Sequence, residues 1–104
     1  MDFNASFASL YVYLDASHLA YAIDEQAHQA LRNLGALLNE AGGNYADVMF
    51  VQLYLLDMDR IEQFNEIFRQ YFETEPPARA VCQPLKLYPG ALVMFTAVAC
   101  IGAA

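Results

Sequence analysis

One arginine, Arg79, stands where its side chain could do chemistry. It lies in the segment EPPARAVCQ, after two prolines and at the start of an apolar run. The chain has only 5 basic residues against 12 acidic ones, so a cation in this setting needs a reason. A planar guanidinium binds a carboxylate through two parallel hydrogen bonds. From these residues alone, a structural ion pair with Glu73 or Glu75 is the favoured alternative.

The two cysteines, Cys82 and Cys100, offer a weaker chemical signal. Both stand among apolar residues and neither belongs to a CxxC pair, so we expect buried, reduced thiols. Cys82 lies close to Arg79, which could lower the pKa of its thiol, but an inert core cysteine is favoured over a nucleophile. A disulfide would require that the two strands carrying these cysteines are neighbours.

No other residue pattern indicates a metal centre or a catalytic triad. Asp24 and His28 are four residues apart on a predicted helix, but two ligands do not make a zinc site. No serine and histidine spacing suggests a triad. We therefore expect no metal and no cofactor. The remaining carboxylates near Arg79 are expected on a solvated helix face, namely Glu62, Glu66, Glu73 and Glu75.

Composition limits the possible functions. A length of 104 residues predicts one domain spanning residues 1–104. A hydrophobic share of 58% suggests that apolar surface is buried against another subunit. The net charge of −7 argues against nucleic acid and anionic membrane partners. No signal peptide or membrane-spanning run is visible, which predicts a cytoplasmic location.

The first half of the chain predicts one or two strands and a helix. Alternating aromatic and β-branched residues predict a strand over Ser6–Leu14, and His18–Ile23 is a weaker strand candidate. Asp24 offers an N-cap for a helix whose apolar residues recur at helical spacing. Gly42 and Gly43 end that helix.

The second half predicts strand, helix, strand, strand. Asp47–Asp57 reads as a strand with Met49, Val51, Leu53 and Leu55 on one face and Val48, Phe50, Gln52 and Tyr54 on the other. Asp57 caps a helix with an aromatic stripe at Phe64, Phe68 and Tyr71–Phe72, which the prolines end. Strands follow over residues 78–87 and 91–101, separated by a turn at Tyr88–Gly90.

This order of elements predicts an α+β fold, with one mixed sheet and two helices packed on one face. The other sheet face, with residues such as Phe50 and Tyr54, then has no cover from within the chain. Subunit association would cover it.

Several segments together resemble the RidA/YjgF family, also called the L-PSP endoribonuclease-like family. They are ALRNLGALLNEAGGNYADV, VQLYLLDMDRIEQFNEIFRQYFETEPPAR and GALVMFTAVA, covering about residues 25 to 100. The resemblance implies a chorismate-mutase-like fold. It also implies a homotrimer whose sheets line a barrel-like core, with a small-ligand cleft at each subunit interface.

The resemblance also implies an activity and a site. The family's best-known reaction is hydrolysis of reactive 2-imino acids, such as 2-iminobutanoate and 2-iminopropanoate, to 2-oxo acids and ammonia. The arginine of its PAR motif binds the substrate carboxylate, and here that residue is Arg79. Asn65 matches an asparagine near the cleft, with a solvent-facing helix residue as the alternative. Val81 matches the position whose main chain faces the ligand.

Two departures from the family pattern bear on catalysis. Relatives carry a glutamate in the last strand that is thought to position the attacking water, and Met94 stands there in this chain. Methionine can neither hold nor deprotonate water. The family's GPYSQ and SGQ segments are not found, so the N-terminus is expected to be shortened or divergent.

Three functions remain open at this point. The first is a RidA-like trimer that binds small 2-imino or 2-oxo acids and deaminates imines. The second is a metabolite-binding or regulatory trimer without catalysis, favoured by a retained Arg79 beside a lost acid. The third is a ribonuclease, which the acidic charge argues against. Whether the chain is an enzyme stays open.

Overall fold

The computed structural model describes residues 5–12, 23–73 and 75–102, the first of these as a backbone strand. Its elements in chain order are β1 (Ala5–Val12), α1 (Ile23–Glu40), β2 (Val48–Leu55), α2 (Ile61–Tyr71), β3 (Ala78–Cys82) and β4 (Val93–Gly102). Short 3-10 turns at Tyr45–Asp47 and Met58–Arg60 lead into β2 and α2. The predicted strand at Ser6–Leu14 is thus confirmed over most of its length.

The described strands form one mixed sheet in the order β1-β4-β2-β3. β4 runs antiparallel to both of its neighbours, and β3 runs parallel to β2 at the edge. The parallel pair is joined by a crossover that contains α2. The predicted α+β architecture, a mixed sheet with two helices, is confirmed.

Helix α1 ends where its glycines predict. Gly42 has a φ of 85°, and the Gly43 N–H donates to the Leu38 carbonyl at 2.8 Å, which together close the last turn. The predicted start is wrong: α1 begins at Ile23, so Asp24 lies inside the first turn and is not the N-cap. The weaker strand candidate lies outside the described residues except for Ile23, which is helical.

Strand β2 departs from the predicted alternation at its first residues. The pairing with β4 shifts between Val48 and Phe50, as in a β-bulge. Val48 is therefore buried with Val51 on the helix-covered face, whereas Met49 is 50% exposed. The predicted face assignment was wrong at Val48 and Met49, because an extra residue reverses the alternation on one side of the bulge.

Helix α2 follows its predicted stripe, but the predicted cap is displaced: a 3-10 turn precedes the helix, so Asp57 caps that turn and the N-cap of α2 is Arg60. The Asp57 carboxylate accepts from the Asp59 N–H at 3.0 Å and so caps the 3-10 turn that continues into α2. Phe64 and Phe68 are buried against the sheet, with Phe72 stacked on Phe68 at a centroid distance of 4.5 Å. Ile67, which the predicted stripe left out, is buried with them.

Strand β3 is shorter than predicted. It pairs with β2 only from Ala78 to Cys82, so the predicted extension to residue 87 is wrong. Proline at position 84 has no N–H for a ladder, and the Gln83 side chain instead donates to the Leu56 carbonyl at 3.1 Å. The turn before β4 is confirmed, with a φ of 88° at Gly90.

The two sheet faces differ in cover. Alternate residues of β2 and β4 are buried in one core with α1 and α2, and these include Val51, Leu53, Leu55, Val93, Phe95 and Ala97. The intervening residues form a helix-free face, where Phe50, Tyr54, Met94, Thr96 and Val98 are only partly buried. Among the described residues, no helix is long and apolar enough to cross a membrane.

The cysteines are less buried than predicted. Cys82, at the end of the edge strand, is exposed, and Cys100 on β4 is partly buried. Both are free thiols. The expectation of buried thiols was wrong because their strand positions alternate onto the helix-free face of the sheet.

Candidate functional site

Arg79 lies where edge strand β3 passes helix α2. It pairs in register with Val51, a residue on the helix-covered face, so its side chain lies on the same side of the sheet as α2. A cleft of about 210 Å³ opens there. Its lining consists of Asn65, Phe68, Arg69, Pro76, Pro77 and Arg79. The cleft is smaller than the pockets that hold drug-sized ligands, which suits a small metabolite.

Two kinds of contact hold the Arg79 guanidinium in place, a hydrogen bond and the faces of two aromatic rings. Its Nη2 donates to the Asn65 Oδ1 at 2.7 Å, a short hydrogen bond from a charged donor. Its Cζ lies 5.1 Å from the ring centroid of Phe68 and 6.0 Å from that of Phe64. These are cation–π distances, and the buried rings cannot swing away. The guanidinium is therefore oriented before any ligand arrives.

Glu73 and Glu75, the predicted ion-pair partners, do not neutralise the positive charge of Arg79. Among residues 23–73 and 75–102, Arg79 makes no salt bridge, and both Glu73 and Glu75 are exposed. Burial, and then the nearby charge of Arg69, lower the pKa of Arg79 below its ordinary value. A guanidinium nevertheless stays protonated at neutral pH. The cleft thus holds a partly desolvated cation whose bound partner is the neutral Asn65.

Asn65 connects the cleft to α2. Its Oδ1 is occupied by Arg79, and no hydrogen bond of its Nδ2 to another described residue is present. An amide nitrogen carries two donors, so Asn65 can bind an anion beside the guanidinium while it orients Arg79. The alternative of a residue that merely faces solvent does not account for the bond to Arg79.

Pro76 and Pro77 form the rim of the cleft where the chain passes from α2 to β3. α2 ends at Tyr71, and the two prolines restrict the backbone immediately before β3 begins at Ala78. Arg79 therefore follows a stiff segment and lies inside a strand, which limits the motion of its backbone.

Val81 lies two residues beyond Arg79 on the same face of β3. It pairs with Leu53, and its side chain packs on the core. Because β3 is an edge strand of the described sheet, one row of its main-chain N–H and C=O groups has no strand partner there. The main chain of Val81 as a ligand contact stays a prediction.

Met94 lies on the other face of the sheet. It pairs with Tyr54, which in turn pairs with Cys82 on the helix-free face. Within one chain the sheet therefore separates the Met94 side chain from the Arg79 guanidinium. Relatives carry a glutamate where this chain has Met94. Among the described residues, no carboxylate lines the Arg79 cleft that could replace that glutamate.

Asp24 and His28, the two potential metal ligands four residues apart on α1, have other partners. His28 Nδ1 is 2.9 Å from the Tyr71 hydroxyl, which links α1 to α2. Asp24 accepts from Gln63 at 3.2 Å. No group of three or more potential metal-ligating side chains occurs among the described residues.

A larger cavity of about 350 Å³ lies near the start of α1 and α2, away from Arg79. Its polar side chains are paired with one another: Gln63 donates to Asp24, and Arg60 lies 3.8 Å from Asp57. We favour the smaller cleft as the candidate site because Arg79 has no anionic partner in the described chain, whereas Arg60 in the larger cavity lies beside the Asp57 carboxylate.

Sequence reasoning missed one residue of the cleft, Arg69. It lies one helical turn after Asn65 on α2, and residues four apart share a helix face. That spacing was the available signal. It indicates a cleft residue only once β3 is known to pass the same face of α2.

Comparison with known proteins identifies the family. The profile described as endoribonuclease L-PSP matches residues 14–101. Human 2-iminobutanoate/2-iminopropanoate deaminase is 38% identical over 80 residues, which is 77% of this chain and 58% of the human protein. A RutC family protein of Saccharolobus solfataricus is 34% identical over 77 residues, covering 74% of this chain and 61% of the relative. The chain therefore spans less than two thirds of the curated relatives it matches.

Solved structures agree in fold. A putative endoribonuclease L-PSP from Entamoeba histolytica superposes with a TM-score of 0.80 at 29% identity, covering 95% of this chain and 82% of that one. RidA from an Antarctic Psychrobacter superposes with a TM-score of 0.81 at 25% identity, covering 97% and 84%. Because the family profile spans most of the chain and the fold agrees throughout, this chain belongs to the endoribonuclease L-PSP family, also known as RidA/YjgF.

Proposed function

We propose that this chain binds small 2-imino and 2-oxo acids through Arg79, in the cleft between α2 and β3. The observation that carries the proposal is the Arg79 guanidinium itself. It is oriented by Asn65 at 2.7 Å and lies against Phe68, and it makes no salt bridge within the described chain. A preorganised, partly desolvated guanidinium favours a planar carboxylate.

The relatives supply the substrate class. Five mammalian relatives carry the name 2-iminobutanoate/2-iminopropanoate deaminase, at 35% to 40% identity. That name describes those proteins. We extend it to this chain as a proposal, because Arg79 and Asn65, the two residues that match the family's ligand-binding positions, are hydrogen-bonded to each other here.

The proposed reaction is hydrolytic deamination. Arg79 binds the carboxylate of the 2-imino acid, and main-chain groups near Val81 orient the imine. Water adds to the imine carbon and a proton moves to nitrogen, which gives a carbinolamine. The hydroxyl proton is then transferred to the nitrogen as the carbon–nitrogen bond breaks, and the products are a 2-oxo acid and ammonia. The reaction consumes one water and requires no oxidant.

The identity of residue 94 favours a second candidate function. Met94 cannot activate water, and no described carboxylate lines the Arg79 cleft in its place. A general base contributes about 10²–10⁴-fold to the rate of such reactions. A metabolite-binding or regulatory trimer without turnover is therefore the alternative.

We propose that the active form is a homotrimer of single-domain chains with the cleft at each subunit interface. Support comes from the helix-free sheet face, where Phe50, Tyr54, Met94 and Val98 are left partly exposed in one chain. Packing of three such faces into a central core would bury them.

Imine hydrolysis tests the proposal. 2-Iminopropanoate generated in situ from alanine by an amino acid oxidase is consumed in the presence of the protein, and the imine remaining is trapped with semicarbazide. We expect the wild-type protein to accelerate imine loss, and Arg79→Met to abolish the acceleration. Arg32→Gln, which removes an exposed charge on α1 that does not line the cleft, is the matched control.

The outcomes separate the candidate functions. Acceleration that survives Arg79→Met would refute the assigned role of Arg79. No acceleration by a protein that still binds pyruvate would support the non-catalytic alternative. If the wild-type protein neither accelerates imine loss nor binds pyruvate, both functions proposed for this cleft are wrong.

A further inference from the structure

The Arg79 cleft contains a second guanidinium. Arg69 lines the same cleft of about 210 Å³, so two of the chain's 5 basic residues lie around one small space. The chain as a whole has a net charge of −7, so this local cluster of positive charge is opposite in sign to the net charge of the molecule.

The positions of the two arginines follow from the fold. Asn65 and Arg69 lie one turn apart on the same face of α2, and Asn65 is hydrogen-bonded to Arg79 on β3. Phe68 lies beside Arg69 in sequence and under the Arg79 guanidinium. The helix and the strand thus present one guanidinium each to the space between them.

Neither charge is compensated within the described chain. Arg69 and Arg79 make no salt bridge with any described carboxylate, although the chain has 12 acidic residues. Burial first, and then the nearby positive charge of Arg69, lower the pKa of Arg79. Two like charges around one cleft repel unless an anion lies between them.

The helix dipole offers a simpler account of Arg69. A cation in the last turn of a helix stabilises it by a modest amount at an exposed site. That account requires a charge near the end of α2, but it does not require the charge to line the cleft that contains Arg79. The two accounts predict different results when Arg69 is replaced.

We infer that the cleft selects ligands with two anionic groups, namely dicarboxylic 2-oxo or 2-imino acids, with Arg79 binding the carboxylate next to the imine or keto group and Arg69 binding the distal carboxylate. This inference rests on the proposed function, since it assigns a substrate class to the same site. It makes Arg69 a specificity-determining residue.

Two stable ligands of equal chain length test the inference. 2-Oxoglutarate and 2-oxopentanoate both have five carbons, and only the first has a distal carboxylate. Isothermal titration calorimetry at low ionic strength is expected to show that 2-oxoglutarate binds about 5- to 10-fold more tightly. The free energy that corresponds to this difference in affinity lies between that of an exposed ion pair and that of a hydrogen bond between charged groups. Added salt should reduce the difference.

The variants isolate the role of Arg69. Arg69→Gln should remove the preference and leave the affinity for 2-oxopentanoate within about two-fold, because Arg79 is untouched. Arg69→Lys should restore part of the preference. Arg32→Gln, which changes the net charge equally at an exposed site outside the cleft lining, should retain the preference and so controls for the overall field.

The inference and the proposed function can fail separately. Equal affinity for the two acids, or a preference that persists in Arg69→Gln, would overturn the inference while leaving the proposed function intact. Loss of the preference in Arg32→Gln would also overturn it, since the general field would then be the cause. If the wild-type protein binds neither acid, the proposed function fails and the inference fails with it.

Discussion

Gln26 connects α1 to the segment between β3 and β4, and its replacement should strongly destabilise the fold. Its side chain is fully buried, with an exposed fraction of 0%. Its Nε2 donates to the Gly90 carbonyl at 2.8 Å, and its Oε1 accepts from the Leu92 N–H at 2.7 Å. One side-chain amide therefore satisfies a main-chain acceptor and a main-chain donor at the start of the final strand.

Gln26→Leu removes both hydrogen bonds and supplies no replacement. Each lost bond costs about 1 kcal/mol net, and a buried group left without a partner costs about 1–3 kcal/mol. For the two bonds together the expected loss in the free energy of unfolding is about 2–6 kcal/mol. For a domain of about 100 residues, each kcal/mol lowers the melting temperature by about 4–8 °C.

Thermal and urea unfolding at fixed protein concentration measure this loss. Gln29→Leu is the matched control, because Gln29 lies three residues away on the same helix and, among the described residues, hydrogen-bonds to the exposed side of α1 through Asn33 and Arg32. We expect the control to lose less than about 0.5 kcal/mol. If Gln26→Leu unfolds within about 0.5 kcal/mol of the wild-type protein, the assigned role of Gln26 is refuted.

Three further predictions concern the helix packing, the sheet face and the cation. Gly35→Ala should lower the free energy of unfolding by about 1–3 kcal/mol, because the new Cβ would overlap the Tyr45 hydroxyl. That hydroxyl donates to the Leu31 carbonyl at 2.7 Å. Urea unfolding that matches the wild type would contradict this prediction. Thr96→Arg should convert the proposed trimer to a monomer, because it places a charge on the helix-free face that trimer formation would bury. Analytical ultracentrifugation measures the oligomeric state. A trimer that remains intact would show that the interface lies elsewhere. Pyruvate affinity should change less than about two-fold between pH 6 and pH 9, because the Arg79 guanidinium keeps its proton in this range despite its lowered pKa. Calorimetric titrations across this pH range measure the affinity. An approximately tenfold fall would contradict the prediction and indicate that another group titrates.

The sequence predicted those parts of the fold that depend on neighbouring residues. The end of α1 at Gly42 and Gly43 follows from the backbone freedom of glycine, and the buried stripe of α2 follows from helical spacing. The capping role of Asp57 likewise needs only the residues that immediately follow it. Local patterns were sufficient for these elements.

Features that depend on strand pairing were predicted less well. The bulge between Val48 and Phe50 reversed an assignment that assumed strict alternation. The end of β3 at Cys82 depends on how far β2 can pair with it, which composition does not reveal. In both cases the deciding interaction comes from a segment distant in the chain.

The candidate site was predicted in part. Arg79 and Asn65 came from a family resemblance, and the structure places them 2.7 Å apart although 14 residues separate them in the chain. Arg69 was missed because its spacing from Asn65 matters only once β3 is known to pass the same face of α2. Their roles in ligand binding remain predictions.

A crystal structure of the protein with 2-oxobutanoate would test the central claim most directly, since that claim is that Arg79 is a carboxylate receptor oriented by Asn65. We predict that the carboxylate lies within hydrogen-bonding distance of the Arg79 guanidinium, with the Asn65 contact retained. A ligand located elsewhere, or an Arg79 paired with Glu73 or Glu75 in the assembled protein, would contradict the account.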